Sequence, residues 1–464
     1  MKLVRREVLK SASAALIAGA APRSAWGNTQ ADVVVIGAGL AGLFAAHKLE
    51  VAGLKSILIE AEGHVGGRTR TLDDLPGHPD AGGIQVGSGY RRLRDIAHDL
   101  KVKLVAGGEL GRSALYRING ETVSHADWPT STANLLPPGD HARSPLALGM
   151  AYAAKLPKLI APENWTDRQM LQRLDMPYEA LLKELGASDE ARRLIAANFN
   201  GNSLATMSAL HLERSAAIFR ARPGPLLLVA DGTQRIAEAM AGAIKSPIRL
   251  KQIVHSISER RDGVTVRLAN GKDLRARQVV CTIPFSALRD MNIDADLNPA
   301  VRTMIGRLPY TRASFAYLQA SAPFWRDDGQ PETLWSDDPL LGRAFVLGDD
   351  PPMLKVWIPA AGADRMDAMP EEAVAHEIIS RYEAARRSST GKLRMLKYWS
   401  WQKNPFARGI YHHIGAGDGV LLAEAVLHKG KRLHFAGEHL AISASGMEGA
   451  LESGERAARA ILER

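Results

Sequence analysis

Cysteine is almost missing from this chain: Cys281 stands alone among 464 residues. No intrachain disulfide can form, even in an oxidising compartment. Cys281 lies in the apolar run Val279-Val-Cys-Thr-Ile-Pro284, which reads as a strand, so its thiol is expected in the core. Long apolar runs are missing as well. The stretch Ser11 to Ala21 is too short for a membrane span. There is no arginine-rich tract and no basic patch interleaved with aromatics, so nothing points to nucleic acid. Internal repeats and low-complexity tracts are absent. The 46% apolar content is ordinary for a globular protein, and the length suffices for two domains.

Residues 1–27 read as an export signal rather than part of the fold. Arg5-Arg6 precedes the mild apolar stretch, and Ala25-Trp26-Gly27 supplies a small-residue cleavage site. Paired arginines in this setting predict twin-arginine export and a periplasmic location. That route carries folded proteins, so a cofactor loaded in the cytoplasm would cross with the chain. Without the signal, 54 basic and 49 acidic residues remain, a formal charge of +5 instead of +9.

The most informative segment follows. Val33 to Ile36 is a continuous β-branched run that suits a strand buried on both faces. Next comes Gly37-Ala-Gly39-Leu-Ala-Gly42. Gly37 allows a tight turn, Gly39 lets a pyrophosphate approach the backbone, and Gly42 lets the next helix pack closely. That helix runs from Leu40 to about Glu50, and its first residues, Leu40 and Ala41, turn free N–H groups toward the phosphates. A second strand, Ile57 to Ile59, ends at Glu60, followed by Ala61, where a carboxylate meets ribose hydroxyls. Strand, helix, strand and acid in this order predict dinucleotide binding.

A second glycine loop with a cation, Gly66-Gly67-Arg68, comes directly after. A fixed guanidinium there neutralises a diphosphate or meets a flavin. Near the other end stand Gly437-Glu438 and Gly446-Met-Glu-Gly449-Ala450. Together these segments predict an FAD wrapped by both ends of the chain. The last helix is expected from Ser445-Gly446 to Leu462, its N-terminus directed at the flavin.

On Gly66-Gly67-Arg68-Thr69, Asp80-Ala-Gly82-Gly83, Pro323-Phe-Trp325, Gly437-Glu438 and Met447-Glu-Gly-Ala450, the chain resembles the flavin-dependent amine oxidase superfamily. Monoamine, polyamine and L-amino acid oxidases belong to it. The resemblance covers nearly all of the mature chain. It implies that Gly82, Gly83, Val254, Gly437, Glu438, Gly446 and Met447 cradle FAD, and that Trp401 and Tyr411 form an aromatic wall beside the flavin. It further implies that a free amine gives a hydride equivalent to flavin N5 and that the imine then hydrolyses. A narrow apolar cage disfavours the ammonium form, and no dedicated acid or base is required.

Several positions depart from the family pattern. Gly446 stands where a second cage aromatic is expected, which leaves the pocket wider or the cage half built. Ile410 replaces the tethering cysteine of monoamine oxidases, so FAD is expected to be non-covalent. Phe315 occupies the place of a lysine that holds water near N5. With no cation there, slow oxidation by O2 is expected, and electrons pass faster to a periplasmic acceptor. Gln85 replaces an arginine that meets the α-carboxylate in amino-acid oxidases, which favours amines without one. Adjacent His412 and His413 point apart on a strand and suggest solvent or substrate contact rather than metal ligation.

The remaining pattern predicts helices at Ser144 to Ile160, Tyr178 to Glu184, Ala187 to Asn198, Thr233 to Ile244 and near Glu371 to Arg386. Strands are expected at Ile248 to Ile257, Val264 to Leu268, Ala313 to Gln319 and Met353 to Ile358. The fold class is mixed α/β with two discontinuous domains. Residues 28–90, 222–292 and 402–464 are expected to bind FAD in a Rossmann-like domain, and 91–221 and 293–401 to bind substrate. The leading function is an exported amine oxidoreductase with a small amine as substrate. The alternatives are an L-amino acid oxidase, a desaturase-like enzyme acting on C–C bonds, or a non-catalytic flavin-bound relative.

Overall fold

The β-branched run near the start forms the middle of a sheet. The computed structural model describes residues 30–107 and 113–464. The export signal lies outside them. The first strand, Ala31–Ile36, pairs in parallel with Ser56–Ile59 on one side and Asp273–Cys281 on the other. Val34 and Val35 have no exposed surface, as a central parallel strand covered on both faces requires. The strand Ile248–Arg249 extends one edge, and Leu433–Phe435 adds in parallel to the Asp273–Cys281 strand. Val254–Arg260, Gly263–Leu268 and the start of Asp273–Cys281 form an antiparallel meander on the other flank.

A second, seven-stranded sheet holds the other half. Its order is Leu393–Ser400, Ala313–Ala320, Pro352–Pro359, Arg343–Asp349, Leu334–Ser336, Leu115–Ile118 and Glu121–Val123. The long strands are antiparallel. On Ala313–Ala320 one face carries Ala313, Phe315 and Tyr317, packed with Leu72, Ala81 and Trp401. The other carries Ala316 and Leu318, packed under the Glu371–Ala385 helix through Val374 and Ile378. This period-two division sends one face of the sheet toward the dinucleotide half.

The closing helix, Gly446–Leu462, packs along Leu40–Val51. A Cβ at Gly454 would lie 2.3 Å from the Ala41 carbonyl oxygen, so the close approach depends on glycine there. The helix Arg91–Asp99 lies against the closing helix, where Glu448 accepts from the Arg92 and Leu93 N–H groups at 3.1 Å each. Among the described residues no helix is long and apolar enough to cross a membrane.

Most expected elements appear within a residue or two. Two are shorter than expected. The helix expected over Ser144 to Ile160 ends at Ala153, and the strand expected over Ile248 to Ile257 is two strands broken at Leu250 to Ile253. Lys251 in that break has φ +58, and its N–H and that of Gln252 bond Glu62 and Glu60 carbonyls instead of a neighbouring strand.

Candidate active site

The glycine turn is built by contacts that exclude side chains. Gly37 has φ +99, and a Cβ at Gly42 would fall 1.9 Å from the Gly37 carbonyl oxygen. Gly39 is the N-cap of the first helix and supplies no side-chain cap, so the amides of its first turn, at Leu40 and Ala41, await an acceptor. The second glycine loop folds onto the first. The Gly66 N–H donates to the Ala38 carbonyl at 2.9 Å, and a Cβ at Gly67 would lie 3.6 Å from the Gly39 Cα.

Glu60 ends its strand beneath this turn, 7% exposed. One carboxylate oxygen accepts from the Ala38 N–H at 2.7 Å, the other from the Glu62 N–H at 2.9 Å. Each oxygen keeps a free lone pair, which suits hydroxyl donors. Burial pushes its pKa up against those two bonds. A dinucleotide fits this donor set: anionic phosphates at the helix amides, ribose hydroxyls at the carboxylate. Ala61 follows Glu60, and Val254 begins its strand two residues past Gln252, whose N–H bonds the Glu60 carbonyl.

From there the predicted residues form a continuous file. Arg68 donates to the Ile410 carbonyl at 3.1 Å and to Glu438 at 2.9 Å. Glu438 also accepts from His412 Nδ1 at 2.6 Å. Burial would raise the Glu438 pKa, but His412 and Arg68 hold it well below the usual carboxylate range. Gly437, with φ +146, donates its N–H to Ser453 Oγ on the closing helix at 2.8 Å. A Cβ at Gly82 would lie 2.3 Å from the Arg68 carbonyl oxygen and 3.1 Å from Trp401 Cζ2. One at Gly83 would lie 3.1 Å from Met447 Sδ. Trp401 is 2% exposed and donates its indole N–H to the Ala81 carbonyl at 2.8 Å. Tyr411 is half-buried and directs its hydroxyl at the Asn200 carbonyl, 3.5 Å away. Burial pushes its pKa up to about 12.

Three expectations are corrected. Gly446 does not leave an open half-cage. The Tyr90 hydroxyl reaches within 2.8 Å of where a Cβ at Gly446 would stand, so an aromatic from the other end of the chain enters that space. Phe315 is 1% exposed, and its surroundings are not free of cations. Lys355, opposite Tyr317 on the next strand, lays its ammonium 4.1 Å from the Phe315 ring centre and donates to the Asp80 carbonyl at 2.8 Å. Burial pulls its pKa down to about 7, against the attraction of Asp80. His412 and His413 are buried, at 4% and 0% exposure, the first paired with Glu438 and the second bonded to Thr311 Oγ1 at 3.0 Å. Neither meets solvent.

Sequence reasoning missed Tyr90, Lys355 and Arg343. Lys355 carried a signal: it is a charged residue inside the apolar strand Met353-Leu-Lys-Val-Trp-Ile358. Nothing in the local pattern marks Tyr90, because its partner lies 356 residues away.

A dinucleotide turn, a second glycine loop bearing Arg68 and an aromatic face at the junction with a second sheet define a flavoprotein oxidoreductase. Residues 40–462 match the model of the family described as flavin containing amine oxidoreductase, and the chain belongs to that family. It is an enzyme with FAD as its cofactor. Ile410 gives the flavin no thioether partner, and the single cysteine is buried in the first sheet. The chain is 25% identical to the flavin-containing amine oxidase B of Homo sapiens, covering 94% of this chain and 86% of that protein. It is 26% identical to an L-amino-acid oxidase of Siganus canaliculatus, with the same coverages. Cyclohexylamine oxidase from Brevibacterium oxydans superposes with a TM-score of 0.78 at 23% identity, covering 94% of this chain and all of that one. Wild-type putrescine oxidase bound to putrescine gives 0.76 at 21%, covering 94% and 99%.

Proposed function

We propose that this enzyme oxidises the C–N bond of a small primary amine to an imine, which water hydrolyses to ammonia and a carbonyl product, and that O2 takes the two electrons and leaves as hydrogen peroxide. When bound, FAD supplies the hydride acceptor, N5. The observation that carries the reading is a set of three close approaches, Trp401 to Gly82, Met447 to Gly83 and Tyr90 to Gly446, none of which brings an acid–base pair to the paired glycines. Gly82 and Gly83 leave no room for side chains, so backbone is what they would offer a bound flavin. Trp401 and Tyr411 wall the apolar side, where a neutral amine is favoured over an ammonium ion. The closing helix begins at Gly446 with no side-chain cap, so its N-terminal amides would be available to stabilise negative charge on a reduced flavin.

Lys355 supports O2 as the acceptor. Its ammonium is held beneath Phe315 by the Asp80 carbonyl, and a fixed cation in a dry site stabilises negative charge developing on O2. The paired arginines at Arg5-Arg6 support export of the loaded enzyme to the periplasm by the twin-arginine route. Incubating the holoenzyme with a panel of amines in air tests the reading. Ammonia and hydrogen peroxide should appear in equal amounts. Loss of substrate without ammonia would refute C–N oxidation.

A further inference from the structure

Arg343 is a cation without an anion. It stands in a cross-strand row formed by Trp399, Phe315, Trp357 and Arg343, directly opposed residues of four neighbouring strands. Directly opposed residues share a face, and this is the face that Phe315 turns toward Trp401 and Ala81. The Arg343 guanidinium lies 5.3 Å from the Trp357 ring centre, and Nη2 donates to Asn200 Oδ1 at 2.7 Å. Nε is occluded and has no partner. Among the described residues Nη1 donates to no protein group, yet it is not an occluded atom. Among the described residues no carboxylate pairs with Arg343. Asn200 ties this group to the aromatic wall: its side-chain oxygen takes Arg343, and its carbonyl faces the Tyr411 hydroxyl.

A guanidinium laid on an indole face, with Nε occluded and unpaired, carries an uncompensated cost, and its Nη1 is left open to an acceptor. A carboxylate meeting Nη1 would complete it with a charge-assisted bond. We infer that Arg343 is a binding residue for a carboxylate at the far end of the substrate, so that the amine lies at the wall of Trp401 and Tyr411 and the enzyme takes ω-amino carboxylates. The inference rests on the amine-oxidising reading. It also separates this chain from diamine oxidation, because a second ammonium at the far end would meet a like charge.

Anaerobic titration of the holoenzyme with butylamine, 1,4-diaminobutane, and 4-amino, 5-amino and 6-amino carboxylates tests it, followed by flavin bleaching. Pentanoate, which cannot be oxidised, serves as a binding probe through the shift it causes in the flavin spectrum. At least one ω-amino carboxylate should bleach the flavin at a concentration about tenfold or more below that needed with butylamine, the diamine being the poorest. Arg343→Met should abolish that preference and the pentanoate shift, and Arg343→Lys should keep part of both. A wild-type preference for butylamine or the diamine would overturn the inference, as would an equal loss with all three classes in Arg343→Met and Arg343→Gln of normal FAD content. If no amine bleaches the flavin while pentanoate still binds through Arg343, the amine-oxidising reading falls and the carboxylate site stands. If amines bleach it and pentanoate leaves no shift, the reverse holds.

Discussion

The contact between Tyr90 and Gly446 makes a prediction that depends on two residues at opposite ends of the chain. Replacing Gly446 by alanine places a Cβ 2.8 Å from the Tyr90 hydroxyl, at a backbone φ of +54. The backbone alone costs about 1–2 kcal/mol for an L side chain. Overpacking adds about 1–3 kcal/mol, because the Tyr90 hydroxyl must shift to admit the methyl group. Glu448, two residues past Gly446, accepts from the N–H groups of Arg92 and Leu93, and Arg92 pairs with Glu448 at 3.2 Å and with Glu455 at 2.9 Å. The two sides of the contact are cross-tied. Tyr90→Phe removes the hydroxyl, and the next Tyr90 atom, Cζ, is 3.9 Å from the new Cβ, an ordinary contact. Gly446→Ala in the Tyr90→Phe background should therefore lose only the backbone part, a coupling of about 1–3 kcal/mol. Thermal midpoints of the four proteins at saturating FAD read this. The single Gly446→Ala variant should melt several degrees lower, and the double variant well above the sum of the two losses. Additive losses would show that the hydroxyl does not stand against Gly446.

Other outcomes follow from the same structure. Lys355→Met should slow reoxidation of the reduced enzyme by O2 about tenfold or more, as stopped-flow mixing with air-saturated buffer would measure. Burial lowers the Lys355 pKa to about 7, so the cation is present below pH 7 and lost above it. The wild-type reoxidation rate should fall as pH rises through that value, and the variant should show no such fall. An unchanged rate in the variant would remove Lys355 from the account. Glu60→Ala should weaken FAD binding, since each hydrogen bond to a charged acceptor is worth about 1.5–3 kcal/mol. Unchanged affinity, measured by fluorescence titration of the apoprotein, would show that ribose does not bind there. Acid precipitation should release free FAD, and flavin retained in the pellet would contradict non-covalent binding. Replacing Arg5 and Arg6 by lysines should hold the enzyme in the cytoplasm, and unimpaired export would rule out the twin-arginine route.

The dinucleotide half was legible because its signals are local. Gly37, Gly39, Gly42 and Glu60 act within one strand–helix–strand unit, where spacing along the chain is spacing in the fold. The closing helix was legible for the same reason, from the segment Gly446-Met-Glu-Gly449-Ala450 at its start. The substrate half was read less well. What surrounds Phe315 is decided by the register between neighbouring strands, which brings Lys355 and Trp357 beside it. Arg343 enters only through a further strand in the same row. The filling of the space at Gly446 is settled by Tyr90, and no pattern near either residue announces the other. Solvent contact for the adjacent histidines was misread because the sequence does not show that Glu438 draws His412 into a buried pair. The break between Ile248 and Ile257 was hidden for a similar reason: its backbone bonds are taken by the residues at Glu60 and Glu62.

The central claim is that amines are oxidised at the face formed by Trp401, Tyr411 and the paired glycines. Anaerobic stopped-flow reduction of the bound flavin by saturating amine, in the wild type and in Tyr411→Ala of equal FAD content, tests it most directly. The account predicts full bleaching in the wild type and a much slower limiting rate in the variant. Flavin that stays oxidised with every amine tried, or an unchanged limiting rate in Tyr411→Ala, would contradict it.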